Sequence, residues 1–206
     1  MDFDISFKGQ SIYIAVYVHA ISILNNILKF RNIVQNTNIG RATCRPRFVP
    51  LTSSHISLAR LEGDIFNEAT SVKLKKTFKS LVKEFRNKGL TCRPTEYYLG
   101  FNSVRIYFDS DTVNMLDELR YSIIHHATEN GLQYCDDRKF VPHITVIRRF
   151  VDADRNALSE CISIINRDYI PSFIIPKLSI LGPELILSSL DREIISKSKE
   201  FSADFD

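Results

Sequence analysis

The apolar residues of this chain switch repeatedly between a spacing of two and a spacing of three to four, and that switching leaves few folds open. From Ser11 to His19, Ile12, Ile14, Val16 and Val18 alternate with Ser11, Tyr13, Ala15 and Tyr17, as in a strand with one buried face. From Ile21 to Val34, Ile21, Leu24, Ile27 and Leu28 recur at helical spacing. A proline-punctuated basic connection, Cys44-Arg45-Pro46-Arg47-Phe48-Val49-Pro50, delivers the chain to a second alternating run, His55 to Leu61. The spacing then predicts a helix over 67–87, with Val72, Leu74, Phe78, Leu81, Val82 and Phe85 on one side, lysines (Lys73, Lys75, Lys76, Lys79, Lys83) on the solvated side, and Gly89 as the stop. Strand-like runs at 95–101 and 104–108 read as a hairpin through Asn102-Ser103. A helix over 111–129, a polar stretch, a strand from His143 to Phe150, a helix over 152–168 and a strand pair at 173–181 and 185–190 complete the order.

Strand, helix, histidine strand, helix and strand pair are thus followed by helix, histidine strand, helix and strand pair. This order predicts an α+β fold of two pseudo-symmetric lobes, each an antiparallel sheet flanked by helices, with a central groove between them. No linker or low-complexity tract divides the chain, and 206 residues suffice to bury a core. We therefore expect a single domain over 1–206, its two lobes merged.

A formal net charge of only +3 excludes a basic coat that grips duplex DNA through many phosphates, while permitting a local basic groove. Cys44, Cys92, Cys135 and Cys161 are far apart, with no zinc-ligand spacing, and read as free thiols in a reducing compartment. The apolar run from Ile12 to Leu28 follows Asp2 and Asp4 and carries His19, Ser22, Asn25 and Asn26, which argues against a signal peptide or a membrane span. A soluble intracellular protein is expected.

Two histidine strands carry the chemistry. In His55-Ile56-Ser57 and His143-Ile144-Thr145 a histidine precedes a hydroxyl by two residues within an apolar alternation, so imidazole and hydroxyl share one face. A third copy, His126-Ala127-Thr128, falls in the predicted third helix, where residues two apart do not share a face, and is discarded. Attack of an RNA 2′-hydroxyl on its neighbouring phosphodiester needs a base on the nucleophile and an acid on the leaving oxygen. Histidine, with a pKa of about 6.5, can serve as either near neutrality. Ser57 and Thr145 would donate hydrogen bonds to the non-bridging phosphate oxygens. Neither motif has Asp or Glu beside it, so neither a metal nor another cofactor is expected in this chemistry.

These motifs, with Ser11-Ile-Tyr-Ile-Ala-Val-Tyr-Val18, Val104-Arg-Ile-Tyr107, Met115-Leu-Asp-Glu-Leu119 and Pro142-His143, resemble the 2H phosphoesterase superfamily and, within it, most nearly the U6 snRNA phosphodiesterase family. The likeness runs from about Ser11 to Leu190. It implies a nuclear, monomeric, metal-free 3′ to 5′ exonuclease that trims the 3′ end of single-stranded RNA, including U6-like oligo(U) tails. The product would carry a 2′,3′-cyclic phosphate or the 3′-phosphate derived from it. Thr145 departs from the serine more usual in that family. It also fits relatives that act on 2′,5′-oligoadenylate or 2′,3′-cyclic nucleotides, which implies a cytoplasmic enzyme instead. A non-catalytic RNA-binding module is the third alternative.

Around this pair, Tyr134 is a candidate to stack on a terminal base. Arg60 and Arg148, and among their neighbours Arg45, Arg47 and Arg149, are candidates to hold the RNA backbone. Tyr97, Tyr98 and Tyr107 read as strand packing, His19 as structural, and His125 and His126 as helix-surface residues. Cys135 lacks a basic partner in the sequence, which argues against a cysteine nucleophile.

Overall fold

The structure, a computed structural model, describes residues 11–37, 46–63, 67–135, 139–180 and 202–204. Its strands in chain order are β1 (Ser11–Tyr17), β2 (Arg47–Phe48), β3 (His55–Glu62), β4 (Thr91–Cys92), β5 (Pro94–Leu99), β6 (Ser103–Phe108), β7 (Ile144–Arg148), β8 (Phe173–Ile174), β9 (Lys177–Ile180) and β10 (Ser202–Asp204). Its α-helices are α1 (Ile21–Gln35), α2 (Glu68–Phe85), α3 (Ser110–Glu129) and α4 (Arg155–Ile165). Two antiparallel four-stranded sheets result, in the orders β10-β9-β1-β3 and β2-β7-β6-β5, and β4 pairs with β8 separately.

The helix ends follow local chemistry. The Asn67 side chain accepts the Thr70 N–H at 3.2 Å to start α2, and Asp109 accepts the Thr112 N–H at 2.8 Å to start α3. Gly131, at φ +76°, ends α3 in the left-handed conformation that glycine adopts without strain, its N–H donating to the Thr128 carbonyl. The buried stripe of α1 is Ile23, Asn26, Ile27, Phe30 and Val34; of the expected Ile21, Leu24, Ile27 and Leu28, Ile27 is buried, Leu24 is half-buried, and Ile21 and Leu28 are exposed. Both sets have helical spacing, and the one that includes Phe30 buries more area. Val72 of α2 is likewise exposed.

The fold is α+β, with antiparallel sheets flanked by helices as the pattern predicts, but the lobes are not the two halves of the chain. α2 and α3 pack together and cover the first sheet, α3 against β3 and α2 against β10. α1 crosses to the second sheet, where it meets α4, and Phe30 lies 4.7 Å from Tyr97 of β5 between ring centroids. The β5–β6 hairpin joins the second histidine strand, and β9 joins the first sheet beside β1. Each sheet therefore draws on both halves, and the buried residues of the two layers form one continuous cluster.

Some element bounds differ from those the spacing predicts. The fourth helix begins at Arg155, after a single 3₁₀ turn over Asp152–Asp154. β2 and β4 are two-residue pairings too short to show any periodicity. The strand expected at 185–190 lies outside the described residues, and β10 pairs with β9. Cys92 and Cys161 are free thiols; Cys44 lies outside the described residues. Among the described residues no helix is long and apolar enough to cross a membrane.

Candidate active site

Both histidine strands carry the same irregularity at the same place. In β3, Ser57 pairs with Ala15 and Ala59 with Ile14, so Leu58 is left over as a bulge. In β7, Thr145 pairs with Arg105 and Ile147 with Val104, so Val146 is left over. A bulge inserts one residue and reverses the alternation beyond it. Strict alternation would turn Arg60 and Arg148 to the core. Instead Ile56, Leu58, Ala59 and Leu61 are buried, and His55, Ser57 and Arg60 share the open face. Ile144, Val146 and Ile147 are buried in the same way, and Thr145 and Arg148 share the open face that His143 enters at the start of β7.

The two imidazoles are held alike. His55 Nδ1 lies 2.8 Å from the Ser53 carbonyl, and His143 Nδ1 lies 2.8 Å from the Val141 carbonyl. A carbonyl only accepts, so each Nδ1 carries the donated proton, and Nε2 is the basic nitrogen of each neutral ring. Each ring also meets a tyrosine of the adjacent strand edge-on: Tyr17 of β1 at 6.3 Å from His55, and Tyr107 of β6 at 6.2 Å from His143. β3 and β7 come into contact although they belong to different sheets. The His143 imidazole is pushed below its ordinary value, first by burial and further by the positive charges of Arg105, His55 and Arg148, against the pull of the Val141 carbonyl. His55 is thus within electrostatic reach of His143.

Directly paired residues project to one side of a sheet. Arg105 opposite Thr145, and Arg47 opposite Arg148, therefore join the His143 face, giving three guanidinium groups there. Tyr98, opposite Arg105, and Glu96, opposite Tyr107, lie on it as well. The Tyr98 and Tyr107 rings are 5.3 Å apart, and Tyr98 is 48% exposed. On the first sheet Arg60 donates to the Ser11 hydroxyl from two nitrogens, at 3.1 and 2.8 Å, and its guanidinium lies over Tyr13 at 5.5 Å. Arg149 sits just past β7 at φ +59°, and Arg45 lies outside the described residues.

Tyr134 is a correction. Its backbone bridges to Leu61, a fully buried residue, so the two side chains share the core side of the sheet, away from His55. Arg120 of α3 donates to its hydroxyl at 2.7 Å and lies 5.4 Å over its ring. The partly buried ring is thus turned away from His55 and engaged by Arg120. The aromatic groups that do reach the open face are Tyr13, Tyr17, Tyr98 and Tyr107; Tyr97 is in the core, as expected. Arg105 was legible in the alternation Ser103-Val104-Arg105-Ile106-Tyr107, and each bulge in the adjacent apolar pairs Leu58-Ala59 and Val146-Ile147.

Such a face can transfer two protons and hold an anion between hydroxyls and guanidinium groups. Burial pushes the Cys92 thiol up to about 12 and raises that of Cys161, so neither is poised as a nucleophile.

No protein-family model and no curated protein matches the chain. Solved structures do. The PDE domain of MHV ns2 aligns with a TM-score of 0.54 at 11% identity, covering 69% of this chain and 86% of that one. LigT of E. coli in apo form gives 0.53 at 18% identity, covering 83% and 86%. Usb1 of Kluyveromyces marxianus gives 0.51 at 12% identity, covering 86% and 96%. These structures belong to the 2H phosphoesterase superfamily, and the chain shares their fold.

Proposed function

We propose that this chain is a 2H-type phosphodiesterase acting on RNA, a 3′ to 5′ exonuclease that shortens oligo(U) tails of the U6 snRNA kind. The observation that carries the reading is the duplicated unit itself: imidazole, hydroxyl, bulge and arginine at matching positions of two strands that meet between two sheets. A structural histidine has no reason to recur with that whole set.

The depressed His143 imidazole, neutral at pH 7, takes the base role. Its Nε2 removes the proton of the 2′-hydroxyl, and the 2′-oxygen attacks phosphorus. The bond from phosphorus to the 5′-oxygen breaks, and protonated His55 gives its Nε2 proton to that leaving oxygen. A 2′,3′-cyclic phosphate and a nucleoside with a free 5′-hydroxyl result. Ser57 and Thr145 donate to the non-bridging oxygens, where charge builds. Arg105 and Arg148 offset the incoming phosphate charge. The mechanism needs no metal. The same reading takes the chain as one catalytic unit that works as a monomer in the nucleus.

Thr145 favours a second reading, with the same pair acting on 2′,5′-linked adenylate or a 2′,3′-cyclic nucleotide. Incubation with oligouridine bearing a free 3′ end, in excess chelator, separates the two. Stepwise loss of nucleotides with cyclic-phosphate ends is expected. Activity that vanishes with chelation would sink the metal-free mechanism, and cleavage confined to 2′,5′-linked adenylate would replace the substrate.

A further inference from the structure

We propose a second site, separate from the catalytic groove: a zinc-class divalent cation bound by His125, His126 and Glu129 of α3, with Glu84 of α2 orienting His126. On a helix, residues 125 and 129 are four apart and residues 126 and 129 three apart, so both imidazoles can meet one carboxylate. They do. His125 Nε2 lies 3.4 Å from Glu129 Oε1, and His126 Nδ1 lies 3.3 Å from Glu129 Oε2. Among the described residues this is the group whose ligand atoms gather closely enough for a metal, all within 4.8 Å of one another. Zinc bonds to nitrogen and oxygen at about 2.0–2.1 Å, and tetrahedral geometry then sets neighbouring ligand atoms roughly 3.3–3.4 Å apart. The two histidine-to-carboxylate separations match that edge length, and the imidazole nitrogens lie within 4.8 Å of each other.

The neighbouring helix supplies the orienting group. His126 Nε2 lies 2.9 Å from Glu84 Oε2, and the other Glu84 oxygen accepts the Ser122 hydroxyl at 2.7 Å. With its Nε2–H donated to Glu84, a neutral His126 presents the lone pair of Nδ1 to Glu129. Two acceptors at 3.3 Å face each other there, and something positive must lie between them, a proton or a cation. A carboxylate behind the second nitrogen of a liganding histidine is the usual support of a bound metal. Two imidazoles and one carboxylate suit zinc, with water completing the shell.

His126 is thus not the helix-surface residue its sequence suggests; its side chain is 19% exposed in the seam between α2 and α3, whereas that of His125 is 65% exposed. Those helices cover the face of the first sheet opposite His55. The cation would pin the C-terminal end of α3 to α2.

The test is a zinc titration of the full chain, read by competition with a chromogenic chelator. The His55→Ala/His143→Ala double variant runs alongside, because the groove is the other place where two histidines approach. Wild type and double variant are expected to bind one equivalent equally. His125→Asn and Glu129→Gln, both at exposed side chains, should each abolish binding with the fold intact by circular dichroism. Glu84→Gln should weaken it by about ten- to a hundred-fold. Cobalt(II) in place of zinc should give visible bands that Glu129→Gln removes. Absence of stoichiometric binding, binding indifferent to His125→Asn and Glu129→Gln, or binding lost in the double variant would each overturn the proposal.

Discussion

At the scale of single residues, the depressed His143 imidazole makes a directional prediction. Burial and the charges of Arg105, His55 and Arg148 all disfavour its protonated form, and a base works only when unprotonated. The acidic limb of the kcat/KM profile, which reports the free enzyme, should therefore fall below the ordinary histidine value of about 6.5. Arg105→Gln removes a positive charge, lets the ring hold its proton to higher pH, and should move that limb upward. A limb that stays put on this substitution would show that it reports another group.

At the scale of elements, α1 is tied to β5 through one buried hydrogen bond. The Tyr97 hydroxyl donates to Asn26 Oδ1 at 2.7 Å, in a setting that raises the phenol well above its ordinary pKa. Asn166, just past α4, completes the tie. It accepts the Tyr97 N–H at 2.8 Å and donates to the Tyr97 carbonyl at 2.9 Å, pairing an edge strand as a neighbouring strand would. Tyr97→Phe leaves Asn26 Oδ1 buried without that donor. It should cost about 1–3 kcal/mol in urea unfolding while leaving turnover unchanged. The elements themselves were mostly legible, because α2, α3, β1 and the β5–β6 hairpin each show their period and their caps within a short window. Tyr134 was not. It lies in a polar stretch like a loop residue, and only its pairing with Leu61 sets it on the core side. The bulges were half legible: Leu58-Ala59 and Val146-Ile147 break the alternation, but nothing local says that the break turns an arginine outward.

At the scale of the whole molecule, the lobes are interleaved, and this escaped the sequence order for a physical reason. Periodicity reports which face of an element is buried, not which sheet buries it. α1 and α3 are amphipathic enough to cover either sheet, and long-range partners such as Phe30 with Tyr97 decide. The exchange also serves the site. Because each sheet uses strands from both halves, β3 and β7 are fixed to each other through one continuous core, and not through a linker. Two histidines that must share one phosphate need such a mutual anchor.

The central claim is that His55 and His143 act as one unit. The most direct measurement is single-turnover cleavage of oligouridine, in excess chelator, by His55→Ala, His143→Ala and the double variant. Each single change should lower the rate by roughly a hundred- to ten-thousand-fold, and the double variant should be little slower than either, because groups that act together do not add. A variant that keeps nearly full rate after losing one histidine, or a double variant slowed by the product of the two single effects, would contradict the account.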